Sequence, residues 1–147
     1  MTVFIFDLDD TLLMSNTYRT YNDIQHNYGL YNILYNLNHP KYIYTNGTSS
    51  HAINSLSKMG ILELFDGIFA RDTLKYMKPH YKSFHYVHSF IKKYYPNQNI
   101  IFFDDLKENL DMANNFNWNT VWIHKKSANN NNNYNYSHKN IYDFFYN

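Results

Sequence analysis

A chain of 147 residues can bury a core of its own, and the absence of cysteine excludes disulfides, thiolate metal sites and cysteine nucleophiles. The net charge of +1 argues against a broad electrostatic surface for nucleic acid or for an anionic membrane. The N-terminus lacks the pattern of a signal peptide, and no apolar stretch approaches the about 20 residues that span a bilayer. We therefore expect a soluble, cytoplasmic protein with one main domain.

Five short apolar runs have the composition of strands that are buried on both faces of a parallel sheet. They are residues 3–6, 41–45, 67–70, 100–103 and 120–123. Four helical patterns lie between them: about Tyr18 to Leu37 with Gly29 as a possible break, Ser49 to Met59 with Gly60 as C-cap, a helix opened by Pro79, and one that starts near Asp105. This alternation predicts a Rossmann-like α/β fold, with a three-layer parallel sheet of about five strands and helices on both faces.

The segment that follows the last predicted strand differs in composition. Asn129 to Asn133 is an uninterrupted asparagine run, which is typical of a mobile, low-complexity linker. Ile141 to Phe145 is apolar enough to form a short helix that docks on the rest of the protein. We therefore predict a core of residues 1–125 followed by an Asn-rich tail of residues 126–147 with a short C-terminal helix.

Two acids follow the first predicted strand, at the sheet edge where parallel α/β folds bind ligands. As the chain curls away from the strand, Asp7 and Asp9 can both reach one centre. One carboxylate of such a pair can attack phosphorus, while the other protonates the leaving alkoxide and later activates water. Both can bind a hard cation such as magnesium. A simple acidic turn or helix N-cap also fits the pattern, but it needs only one of the two acids.

Two further motifs could bind a phosphate at the same edge. Thr45, Asn46 and Gly47 follow the second strand and precede a helix, where a hydroxyl and backbone N–H groups suit a phosphate oxygen. An ordinary turn that caps the next helix explains them as well. Lys78 could neutralise charge on a phosphoryl group, although a solvated lysine before a helix, with Lys75 as a nearby competitor, is an equally simple interpretation.

Asp104 and Asp105 end the fourth predicted strand, where carboxylates could complete a magnesium site or one acid could cap the next helix. In order and in strand-end placement, the four motifs resemble those of the haloacid dehalogenase-like (HAD) superfamily of phosphatases over residues 3–124. The resemblance implies Asp7 as nucleophile and Asp9 as acid/base, with Lys78 as a further catalytic residue. It implies phosphate binding by Thr45, Asn46, Gly47 and Lys78, and Mg²⁺ binding by Asp7, Asp9, Asp104 and Asp105. Haloacid dehalogenases lack a second aspartate at the Asp9 position, so Asp9 favours phosphoryl transfer.

Segments further along the chain resemble the pyrimidine 5′-nucleotidase branch, which releases phosphate from nucleoside monophosphates such as UMP and CMP. They are Thr45-Asn46-Gly47, His51-Ala52, Met59-Gly60-Ile61, Phe65-Asp66-Gly67-Ile68, Lys78-Pro79-His80 and Phe103-Asp104-Asp105. That branch carries a helical cap between its first two motifs, whereas here only residues 12–44 separate them. We therefore expect little or no cap, with at most a small insert such as residues 13–23. The expected partner is a phosphorylated small molecule such as a nucleoside monophosphate, bound by a monomer or a homodimer.

Two other functions stay open. The first is a capless phosphatase that acts on a macromolecular phosphate, in a phosphoprotein or at a nucleic-acid end. The second is a non-catalytic interaction protein on a HAD frame, against which the retention of all four motifs argues. Among the eight histidines, His85 and His88 have weak zinc-site spacing. His51 follows the phosphate loop and could lie near the site, although a place on the helix surface or in the packing is the commoner role.

Overall fold

A six-stranded parallel sheet lies between two layers of helices in the computed structural model, which describes residues 1–127 and 133–146. The strands are β1 (Thr2–Phe6), β2 (Lys41–Tyr44), β3 (Gly67–Phe69), β4 (Asn99–Asp104), β5 (Asn119–Ile123) and β6 (Tyr136–His138). The α-helices are α1 (Tyr28–Asn36), α2 (Ser49–Met59), α3 (Tyr81–Tyr94), α4 (Lys107–Asn114) and α5 (Ile141–Tyr146). The predicted α/β fold is confirmed. Within the described ranges, no helix has both the length and the hydropathy needed to cross a membrane.

Each face of the sheet has its own buried core, because successive strand residues point to opposite sides. On one face, Phe6 and Phe103 pack among the apolar residues of α1, α2 and α5. On the other face, Ile5 and Phe102 pack against α3 and α4. Phe84, Val87 and Ile91 form the fully buried stripe of α3, at the spacing of an amphipathic helix. The central strands therefore read as continuous apolar runs, as the sequence suggested.

The helix that precedes β2 is shorter than predicted. The chain forms two short 3-10 helices, Ser15–Thr17 and Tyr21–Asp23, before α1 begins. The Asp23 carboxylate accepts hydrogen bonds from the backbone N–H groups of Arg19 and Thr20, and the Asn27 side chain caps α1. The prediction of a helix from Tyr18 was wrong before Tyr28, because these polar side chains bind local backbone groups and favour turns.

The C-terminal segment adds the sixth strand, which composition did not predict. Residues 129–132 of the asparagine run lie outside the described residues, so the linker predicted there stays a prediction. Beyond them β6 pairs in parallel with β5. Helix α5 forms where a short helix was predicted, with Ile141 only 2% exposed. The ring of Phe145 stacks on Phe103 with centroids 5.8 Å apart. The division of the chain at residue 125 remains a prediction.

The strand order β3-β2-β1-β4-β5-β6 places β1 between β2 and β4. The connection from β1 leads to one side, and β4 returns on the other, so the carboxyl end of β1 is a topological switch point. Phe6 is paired with Ile43 of β2 and with Phe103 of β4. The residues that follow these three strands therefore leave the sheet at the same level and at the same edge.

We predict that Ile141→Ala lowers the free energy of unfolding by about 2–4 kcal/mol, because it leaves a cavity where α5 meets the sheet. Tyr146→Ala in the same helix is the matched control, since Tyr146 is 69% exposed, and it should change stability by less than about 0.5 kcal/mol. Urea denaturation measures both. An Ile141→Ala protein as stable as the wild type would mean that α5 does not support the core.

Candidate active site

The Asp7 carboxylate lies directly after β1 and is almost fully buried, with 10% of its side chain exposed. Its Oδ1 accepts a hydrogen bond from Lys78 Nζ at 3.0 Å, and its Oδ2 accepts one from Thr11 Oγ at 3.0 Å. Lys78 Nζ also donates to Asp104 Oδ2 at 2.8 Å and to the Tyr44 carbonyl oxygen at 2.7 Å. An ammonium group has three hydrogens, so this one is fully hydrogen-bonded. It links the carboxyl ends of β1, β2 and β4.

Asn46 holds the backbone of Lys78 in place. Its side-chain Nδ2 donates to the Lys78 carbonyl oxygen at 3.0 Å, and its Oδ1 accepts from the Lys78 backbone N–H at 2.9 Å. Both the nitrogen and the oxygen of the side-chain amide are thus hydrogen-bonded to the backbone of Lys78. The side chain of Asn46 therefore positions Lys78, and its assignment as a phosphate-binding residue stays a prediction.

Asp7, Asp104 and Asp105 form an acidic cluster in which one carboxylate oxygen of each lies within 4.8 Å of the others. Asp104 is fully buried and accepts from the Leu106 backbone N–H at 2.9 Å and from Asn109 Nδ2 at 3.1 Å. Oxygen ligands on opposite sides of a Mg²⁺ ion lie about 4 Å apart, so the cluster needs little adjustment to hold one. The three carboxylates therefore fit the expected cation.

Burial raises the pKa of Asp7 to about 6, and the attraction of Lys78 only partly opposes this. Burial likewise raises the pKa values of Asp104 and Asp105. For Lys78, burial favours the neutral amine, but Asp104 and Asp7 outweigh it and raise the pKa above its ordinary value. A single ammonium cannot neutralise three carboxylates, whereas an additional divalent cation could. The electrostatics therefore favour metal binding on the same residues as the geometry does.

Asp9 has a different environment from Asp7, although only one residue separates them. Its side chain is 39% exposed, and both carboxylate oxygens lie 2.9 Å from His51 Nε2. The chain turns sharply here, since Asp10 has a φ of 63° and its N–H donates to the Leu13 carbonyl oxygen. The Asp9 carboxylate is not part of the acidic cluster that the described residues form. Its assignment as a metal ligand stays a prediction.

The loop between β2 and α2 is held by its own hydroxyl groups. Thr45 Oγ accepts from the Gly47 backbone N–H at 3.0 Å, and Thr48 Oγ accepts from the His51 N–H at the start of α2. A Cβ atom on Gly47 would lie 2.8 Å from His51 Cδ2, so glycine allows the loop to pass close to the ring. The structure thus places Thr45, Asn46 and Gly47 at the sheet edge that carries Asp7.

The sequence allowed a place for His51 near the site but favoured one on the helix surface or in the packing, and it indicated no role for Tyr21 or Thr11. In the structure, Thr11 is hydrogen-bonded to Asp7, and His51 is hydrogen-bonded to Asp9. The Tyr21 hydroxyl is hydrogen-bonded to His51 Nδ1. A signal existed for His51, which lies in the first turn of the helix that follows the phosphate loop. Tyr21 carried no comparable signal, because it lies 30 residues from its partner.

The model of the haloacid dehalogenase-like hydrolase family matches residues 14–123. The fold is similar to that of a HAD phosphatase from Thermococcus onnurineus, with a TM-score of 0.68 and 15% identity over 98% of this chain and 96% of that chain. It is also similar to the core domain of a candidate phosphoglycolate phosphatase from Streptococcus pneumoniae TIGR4, with a TM-score of 0.64 and 20% identity over 97% and 91% of the two chains.

A third similar structure is the candidate HAD-hydrolase YfnB from Bacillus subtilis, bound to magnesium, with a TM-score of 0.66 and 21% identity. The match covers 80% of this chain but only 54% of YfnB, so the chain spans about half the length of that relative. Structures of L-2-haloacid dehalogenase from Xanthobacter autotrophicus share the fold as well. No curated protein sequence matches the chain.

We predict that metal-free protein loses stability as the pH rises from about 4 to about 6. Asp7 and Asp105 have pKa values raised from 3.8 to about 6, so in this range the folded state binds more protons than the unfolded chain. The stabilisation that these protonated carboxyl groups contribute is complete below about pH 4 and is lost above about pH 6. Asp105→Asn should reduce the fall by roughly 1–2 kcal/mol, allowing for the partial exposure of the group. Urea denaturation in EDTA at several pH values measures the free energy of unfolding, with Asp143→Asn as the control. An equal fall in Asp105→Asn and in the wild type would contradict the raised pKa of Asp105.

We predict that saturating Mg²⁺ at pH 7.5 raises the melting temperature by roughly 5–10 °C, because it binds only the folded cluster. The rise should be smaller at pH 5, where protons occupy the carboxylates whose pKa values are raised. Asp104→Asn should abolish the rise, and Asp143→Asn should retain it. Thermal denaturation with KCl at equal ionic strength provides the baseline. An equal shift with KCl would show that the cluster does not bind the ion.

Proposed function

Because the chain belongs to the haloacid dehalogenase-like hydrolases, we propose that it is a magnesium-dependent phosphomonoester hydrolase with Asp7 as its covalent nucleophile. The observation that carries the proposal is the Lys78 ammonium, which is buried between Asp7 and Asp104 beside a cluster of acids suited to a divalent cation. Lys78, together with a divalent cation bound by these acids, would supply the positive charge that favours a phosphate group beside Asp7.

The proposed reaction has two steps. An oxygen of the Asp7 carboxylate attacks phosphorus, the bond from phosphorus to the leaving oxygen breaks, and Asp9 gives that oxygen its proton. The product is an aspartyl-phosphate on Asp7. A water molecule then attacks the phosphorus and gives a proton to Asp9, and the bond to Asp7 breaks, which releases inorganic phosphate. Both aspartates return to their starting states.

The different environments of Asp7 and Asp9 support this division of roles. Asp7 is held from two sides by Lys78 and Thr11, which fixes the direction of its oxygens for attack. Asp9 is partly exposed and can exchange protons with a leaving group or with water. Mg²⁺, held by Asp7, Asp104 and Asp105, would supply charge neutralisation on the phosphoryl oxygens. Thr45 and Gly47 are the proposed contacts for those oxygens.

For the substrate we propose nucleoside monophosphates. The support is the likeness of the motifs around Thr45 and Lys78 to those of pyrimidine 5′-nucleotidases. A macromolecular phosphate is the second candidate, and the short insert favours it. In the described chain, the segment between β1 and α1 contains only two 3-10 helices, and the Asp9 side chain is 39% exposed. A site with so small an insert has room for a bulky leaving group.

We predict that the protein with Mg²⁺ releases phosphate from UMP, CMP or dUMP faster than from sugar phosphates, a phosphopeptide or a 3′-phosphorylated oligonucleotide. Asp7→Asn should lower kcat by about 10³-fold or more, because an amide cannot form the aspartyl-phosphate. Asp143→Asn on α5 is the matched control and should keep wild-type activity. An assay of phosphate release measures kcat for the wild type and the two variants, and circular dichroism checks that all three proteins are folded.

Faster turnover of the phosphopeptide or oligonucleotide would replace the nucleotide proposal with the macromolecular one. Full activity in the Asp7→Asn protein would refute the mechanism. Absence of phosphate release from the whole panel would favour the non-catalytic alternative.

A further inference from the structure

The imidazole of His51 lies between the carboxylate of Asp9 and the hydroxyl of Tyr21. His51 Nε2 is 2.9 Å from each Asp9 oxygen, and Nδ1 is hydrogen-bonded to the Tyr21 hydroxyl. Both ring nitrogens therefore have a partner. The three side chains come from three separate parts of the chain: the turn after β1, the first turn of α2, and the short insert.

When Asp9 is ionised and His51 is neutral, the chemistry of the three groups fixes the direction of the hydrogen bonds. An ionised carboxylate only accepts, so His51 Nε2 carries the hydrogen that faces Asp9. In a neutral imidazole with Nε2 protonated, Nδ1 is an acceptor, and the Tyr21 hydroxyl is its donor. Tyr21 thus selects the histidine tautomer that can hold Asp9. The hydrogen bonds are therefore donated in sequence from Tyr21 of the insert to His51, and from His51 to Asp9.

His51 and Tyr21 are themselves held in place. The His51 backbone N–H is bonded to Thr48 Oγ at 3.1 Å, and its ring lies against Gly47, where no larger residue fits without displacement. The short helix of Tyr21 is fixed by a capping box between Thr20 and Asp23. The arrangement is therefore a built one and not a chance meeting of flexible surface groups.

We propose that His51 and Tyr21 are positioning residues that hold the carboxyl group of Asp9 in the orientation needed for proton transfer. The proposal rests on the proposed function, in which Asp9 is the acid/base. Asp9 alone would be a partly exposed carboxylate in a turn and free to rotate. Contact of both its oxygens with one imidazole nitrogen removes that freedom. The short insert thereby acts on the catalytic acid through Tyr21.

If the contacts of His51 were purely structural, its loss would lower the activity on different substrates equally. Partly exposed ion pairs stabilise proteins only slightly, so loss of His51 should leave the melting temperature nearly unchanged. Loss of orientation should instead slow only reactions that need the proton. A leaving group that is stable as an anion, such as 4-nitrophenolate, needs the acid much less than phenolate does.

We predict that His51→Ala lowers kcat/KM for phenyl phosphate by about 10²-fold, but for 4-nitrophenyl phosphate by less than about 5-fold. Tyr21→Phe, which removes only the hydroxyl, should show the same selectivity with a smaller loss. His51→Gln places an N–H donor near the position of Nε2 and should restore part of the phenyl phosphate activity. His85→Ala and Tyr86→Phe, both exposed on α3, are the matched controls.

Equal losses on the two substrates, or no loss in a His51→Ala protein, would overturn the positioning role while phosphatase activity and its dependence on Asp7 remain. A wild-type protein that releases phosphate neither from these two substrates nor from the nucleotides and macromolecular phosphates tested above would refute the proposed function itself, and the positioning role with it. Nitrogen NMR of the His51 ring at pH 8 provides a readout that does not need activity. It should show hydrogen on Nε2 and a changed Nδ1 resonance in Tyr21→Phe; an unchanged resonance would exclude the Tyr21 contact.

Discussion

The ammonium of Lys78 is buried between two carboxylates and a backbone carbonyl, and the geometry of the site depends on this contact. It ties Asp7 after β1, Tyr44 at the end of β2 and Asp104 at the end of β4 to one atom. Removing one partner from such a buried network typically costs about 3–5 kcal/mol, because a charge is left without compensation. The ends of the three central strands are thereby held together, and any ligand at this edge meets a preformed set of charges.

The strand order explains how residues distant in sequence reach that one atom. Since β1 lies between β2 and β4, the residues after all three strands are neighbours, and the loop carrying Lys78 closes over them. Amide side chains complete the arrangement: Asn46 holds the Lys78 backbone, and Asn109 holds Asp104. One cation among three acids leaves negative charge uncompensated. The site is therefore held together by hydrogen bonds, yet its charge is suited to a further cation.

The two acids that follow β1 acquire different properties because the chain turns between them. Asp7 remains in the sheet edge, where burial raises its pKa and two donors fix its oxygens. Asp9 lies beyond the turn, where it is partly exposed and contacts His51. A buried, fixed carboxylate suits attack on phosphorus, and an exposed one suits proton exchange. The turn after β1 thus separates, within three residues, the two carboxylates to which we assign different roles in the proposal.

Five of the six strands, the helix Ser49–Met59 and the positions of the acids were predictable from sequence, because hydrophobic periodicity, a C-terminal glycine and strand ends are local features. The sequence also indicated which residues meet, since parallel strands share one edge. The partner of each side chain, in contrast, depends on how distant parts of the chain meet in the folded protein. The clamp of Asn46 on Lys78 and the chain from Tyr21 through His51 to Asp9 span about 30 to 40 residues, and no local pattern encodes such contacts. Strand β6 was missed for the same reason, because its polar residues form a strand only where β5 offers a partner.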